Sequence, residues 1–160
     1  MGKVKSSKTV PAKEKKETTS AIASKIKNFA VLKKEYELFD EHLTINAILR
    51  KLAETLEFYL KIIQQVLQPE EFHSLYEANA FDDVEKSGLM ELYRSMMVVQ
   101  REILKAELLS DEKNSIDTIQ LAHSEIMKIK PSMLGILQKM QDSWKADTKT
   151  VKKESARYFG

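Results

Sequence analysis

INAILRKLAETLEFYLKIIQQV, residues 45–66, decides the fold. Its apolar positions Ile45, Leu49, Leu52, Leu56, Tyr59, Ile63 and Val66 recur in steps of four and three. That spacing places them on one continuous seam of an α-helix. A half-buried strand would need an alternation of period two, which is missing here and elsewhere in the chain.

Upstream, Ile22, Ile26, Phe29, Leu32, Tyr36, Phe39 and Leu43 give a second stripe and predict a helix over about 20–41. Leu43 and Ile45 are two residues apart, a rotation of about 200° on a helix, so the stripes cannot share one straight face. A turn, or a helix changing its neighbour, is expected near Asp40–Thr44.

Downstream, Pro69 ends the seam and suits the first turn of a short helix over about 70–80. Asp82 or Asp83, with Glu85 near the third helical position, reads as the N-cap of a helix reaching about Leu109. Its seam is Leu89, Leu92, Met96, Val99, Ile103 and Ala106; Gly88 weakens its first turns and could move the regular start to Ser87. Ser110–Ser115 is a short polar connection that favours an antiparallel return. Ile119, Ala122, Ile126, Ile129, Met133, Ile136 and Met140 then keep one heptad phase straight through Pro131, which predicts a kinked but continuous helix.

The reading is an all-α fold: an antiparallel bundle of four to five helices with heptad-like seams over residues 20–147, between disordered basic tails at 1–19 and 148–160. Burial of Leu52, Leu56, Tyr59, Ile63, Met96, Val99, Ile103, Ile126 and Met133 within one chain would make the bundle self-sufficient. An exposed 45–66 seam would instead call for a partner.

A chain of 160 residues matches about one domain and can bury a real core. It has no cysteine, which excludes disulfide frameworks, thiolate zinc sites and thiol nucleophiles. No apolar run approaches the roughly 18 residues of a membrane span, and the lysines at the start precede no signal-type apolar region. These features predict a cytoplasmic protein.

The net charge of +2 is unevenly placed. Lys3, Lys5, Lys8, Lys13, Lys15 and Lys16 against Glu14 and Glu17 give residues 1–20 a charge of +4. Lys145, Lys149, Lys152, Lys153 and Arg157 against Asp147 and Glu154 give residues 145–160 a charge of +3, which leaves −5 for residues 21–144. An acidic body between basic ends directs polyanions to the ends, making Lys3, Lys5, Lys8, Lys13, Lys15, Lys16, Lys149, Lys152, Lys153 and Arg157 candidate phosphate contacts. Gly2 with Ser6 also fits an N-myristoylation pattern, which would combine one acyl chain with a polybasic segment.

Catalytic signals are absent from the sequence. Glu70 and His73 form the Glu-x-x-His of di-iron bundles, with Glu77 beyond, but a helical projection sets them opposite Phe72, Leu75 and Tyr76 and therefore away from a core. His42 and His123 lie beside apolar stripes and read as helix-boundary or partner-facing residues. No nucleophile elbow or glycine-rich phosphate cradle occurs, so neither enzyme activity nor a cofactor, metal or small-molecule substrate is expected. Met96, Met97, Met133 and Met140, with Trp144, could instead line an adaptable groove for a partner helix. The expected function is non-enzymatic protein–protein interaction or self-association, as adaptor, scaffold or chaperone-like module. An accessory protein held to nucleic acid or the ribosome by its Lys-rich ends, and a peripheral membrane protein acylated at Gly2, are the alternatives.

Overall fold

Six helices and no strand occur among the residues described by the computed structural model, 19–38 and 43–158. They are α1 (Thr19–Lys25), α2 (Phe29–Glu35), α3 (Ile45–Leu67), α4 (Phe72–Ala78), α5 (Asp83–Leu109) and α6 (Glu112–Tyr158).

The long helices start and stop where their side chains can satisfy the end groups. Thr44 caps α3, its hydroxyl accepting from the Ala47 N–H at 3.1 Å. Asp82 caps α5 by accepting from the Glu85 N–H at 2.8 Å, while the Glu85 carboxylate accepts from the Asp82 N–H at 2.9 Å. This reciprocal box fixes the start at Asp83 with Gly88 inside the helix, not at Ser87. Ser110 ends α5 in the left-handed region, φ 51°, and α6 begins two residues later. Helix α6 runs unbroken through Pro131, as its heptad phase implies, and its backbone continues past residue 147 to Tyr158, so the second basic segment prolongs the helix.

Helices α3, α5 and α6 pack mutually and form the frame of the bundle. Arg50 near the start of α3 pairs with Glu107 near the end of α5 at 3.7 Å. Glu85 near the start of α5 pairs with Lys139 in the second half of α6. Helix α5 is therefore antiparallel to both α3 and α6.

The core is the set of seams read from the sequence. Leu52, Leu56, Ile63, Met96, Val99, Ile103, Ile126 and Met133 are all buried and Tyr59 is half-buried, so the frame closes within one chain. Helix α3 buries more than one seam: Ile48, Leu60 and Ile62 go in besides Leu49 and Val66, while Ile45 stays half-exposed. A helix touching α4, α5 and α6 has apolar neighbours over a wide arc.

The N-terminal stripe needs correction. The helix predicted over 20–41 is two helices, because the chain turns at Asn28, which sits left-handed at φ 59°. The predicted turn at Asp40–Thr44 lies partly in residues 39–42, outside the described residues, though Leu43 and Thr44 are non-helical.

The short helix also differs from the expected 70–80. Residues 68–71 are non-helical and α4 starts at Phe72, where the Ser74 hydroxyl accepts from the Glu71 N–H at 3.1 Å and donates to the Glu71 carbonyl at 2.8 Å. Its predicted apolar face does not go inward: Phe72 is 80% and Leu75 49% exposed, while Ser74 and Ala78 are buried. Polar pins set this orientation. The Tyr76 hydroxyl donates to the Ser143 carbonyl at 3.0 Å, and the Tyr76 and Trp144 rings lie 4.3 Å apart.

Candidate interaction surface

Buried side chains leave no unsatisfied polar atom among the described residues, so the surface alone offers chemistry. It carries a shallow, open groove of about 630 Å³ between α5 and α6. Phe81, Leu89, Leu92 and Ile136 give it apolar walls, and Gly88, Ser95, Ser132 and Gly135 keep those walls low. A Cβ added at Gly88 or Gly135 would meet nothing within 4 Å, so neither glycine is required by close packing inside the chain. Both stand one residue before a seam position, Leu89 and Ile136, on antiparallel helices. The same flank of each helix is therefore hollowed at nearly the same level.

One end of the groove is closed electrostatically. The Lys139 ammonium pairs with Glu85 and lies 5.1 Å from the centre of the Phe81 ring. Hydrogen bonding from Lys139, then from the Asp82 N–H, holds the Glu85 carboxyl below its ordinary value of 4.5. Glu91 adds a second acidic group to the rim.

The predicted partner-binding residues do not form this surface. Met96, Met133 and Met140 are 0%, 2% and 7% exposed and pack in the core, so they line no open groove; Met97 is half-buried against it. The correction follows from their own spacing, since the three lie in the heptad seams that the bundle consumes. Trp144 is 40% exposed but engaged, stacking on Tyr76 and donating from Nε1 to Glu77 Oε1 at 2.7 Å. It closes the α4 end of the bundle.

Glu70, His73 and Glu77 share no centre. His73 Nδ1 lies 3.1 Å from Glu71 and Glu77 serves Trp144. No group of three or more His, Asp or Glu suited to a metal occurs among the described residues. His123 is half-buried, with Nδ1 3.3 Å from Tyr36 Oη and its ring edge-on to Tyr36. Burial, with Glu35 nearby, raises the Tyr36 hydroxyl well above its usual range. His42, Gly2, Lys3, Lys5, Lys8, Lys13, Lys15 and Lys16 lie outside the described residues. Lys149, Lys152, Lys153 and Arg157 belong to the last turns of α6, where the backbone alone is described.

No helix among the described residues is long and apolar enough to cross a membrane. Comparison with protein-family models, curated proteins and solved structures finds no match.

The groove left a signal in the sequence. Two of the four glycines sit inside helices, each beside a seam residue, at positions where helix propensity disfavours them.

Proposed function

We propose that this chain is a non-enzymatic protein–protein interaction module, working in the cytoplasm, whose α5–α6 groove takes up an amphipathic helix of a partner protein. The observation that carries this reading is the groove itself: apolar walls, lowered by Gly88, Ser95, Ser132 and Gly135, along the side of a bundle whose own core is already filled.

A helix suits that shape. From Glu85 to Ser95 the groove follows about 15 Å of α5, room for roughly three helical turns. Small residues allow a third axis to approach toward the short end of the usual 8–10 Å range. Glu91 on the rim favours a partner with Lys or Arg flanking its apolar stripe, while the Glu85–Lys139 pair closes one end.

A photo-crosslinker placed at Ser95 or Ser132 tests the reading. Crosslinks mapping to one amphipathic, basic-flanked helix of a copurifying protein support it; crosslinks mapping to extended or purely polar segments contradict it.

A second reading has its own support. Residues 145–160 carry a charge of +3, and the backbone of α6 runs through them to Tyr158. A basic helical segment suits phosphate backbones of nucleic acid, and such binding would weaken steeply as salt rises. Acylation at Gly2 remains a separate alternative, read directly from the intact mass of the chain from its native host.

A further inference from the structure

We infer that the α1–α2 arm is exchangeable, and that its seat beside α3 and α6 accepts the same arm from a second copy of this chain. This inference goes beyond the α5–α6 groove and does not depend on it.

The arm is folded by its seat. Helices α1 and α2 have seven residues each, far below the length at which an isolated helix holds. Ile22, Ile26, Phe29 and Leu32 are nonetheless all buried. Its polar fastenings to α6 are spaced along its length. Lys25 pairs with Glu112 at 2.5 Å and Glu35 with Lys130 at 2.9 Å. Tyr36 meets His123 at 3.3 Å. The order of these contacts runs the arm parallel to α6, while Tyr36 and Glu37 flank a hollow shared with Lys51, Phe58 and Tyr59 of α3.

The joints of the arm are tight turns. Asn28 between α1 and α2 has φ 59°, and Glu37, where the chain leaves α2, has φ 52°. The Leu38 N–H donates to the Lys33 carbonyl at 3.0 Å, so Glu37 closes α2 as a left-handed cap and the arm ends as a discrete unit.

The seat also defines its occupant. It takes apolar residues at steps of four, three and three, a cation at the leading end for Glu112 and an anion at the trailing end for Lys130. A second copy presents that pattern without any new surface, because an exchanged arm makes the same contacts across two chains.

Full-length charge-swapped chains test this. One carries Lys25→Glu with Glu35→Lys; the other carries Glu112→Lys with Lys130→Glu. Each opposes like charges within itself, and only reciprocal exchange between the two restores opposite charges at all four sites. After equimolar refolding from urea, sedimentation is expected to show a species of twice the monomer mass, melting above either variant alone. Two monomers keeping their separate melting temperatures would overturn the inference.

Should either variant fail to fold, the native charges serve instead. The chain lacks cysteine, so Ser24→Cys and Lys113→Cys take single donor and acceptor labels on separate chains. Energy transfer after mixed refolding supports exchange, and its absence overturns it.

Discussion

Glu85 joins three parts of the molecule with one carboxylate. It completes the cap of α5, pairs with Lys139 of α6, and through that lysine sits beside Phe81 at the groove end. Its carboxyl is held low in the folded state, so it stabilises the fold above the unfolded-state value and loses that contribution as pH falls through the folded one. The gap in urea midpoint between the native chain and Glu85→Gln should accordingly be widest near pH 7 and shrink toward pH 3. A gap independent of pH would show that the carboxylate charge is irrelevant to its place in the cap. This cap was legible in advance, because Asp82 and Glu85 stand three apart before an apolar run. The methionines were legible as core by the same periodicity, and Met96 and Met133 became misassigned once their softness was weighed above their register.

Among the elements, α3, α5 and α6 follow their stripes closely, since each has an uninterrupted heptad phase and a capped start, in α6 the Asp111 carboxylate accepting from the Asn114 N–H at 2.8 Å. The arm was harder to read. Ile22, Ile26, Phe29 and Leu32 keep helical spacing across Asn28, so periodicity alone registers no break there. Helix α4 was misread for a different reason: seven residues supply too little apolar area to choose their own face, and Tyr76 and Glu77 turn it by their contacts with Ser143 and Trp144. Pro131 belongs at this scale too. Its ring removes the N–H that would otherwise bond back along an exposed turn of α6, although Ile129, Met133 and Ile136 hold their phase around it. Pro131→Ala should therefore raise stability by about 1–2 kcal/mol, visible as a higher urea midpoint with an unchanged slope. A loss of stability would mean that the surrounding turn depends on the ring.

For the whole molecule, the frame consumes all its strong seams and still leaves one flank hollow. Chain folding does not account for that hollow, because the helices would gain about 1 kcal/mol at each glycine from alanine, with open space for the added carbon. The proposed docking of a partner helix would give Gly88 and Gly135 a use that chain folding does not. The sequence disclosed the glycines and the seams separately, but only the antiparallel level of α5 and α6, fixed by Glu85 and Lys139, brings the two glycines onto one surface. The most direct measurement compares Gly135→Ala with Gly135→Arg for thermal stability and for recovery of the groove's crosslinked partner. The account predicts that Gly135→Ala is stabilised, that Gly135→Arg folds with a similar melting temperature, and that the arginine variant loses the partner at least tenfold. A stably folded Gly135→Arg chain that retains its partner in full would contradict it.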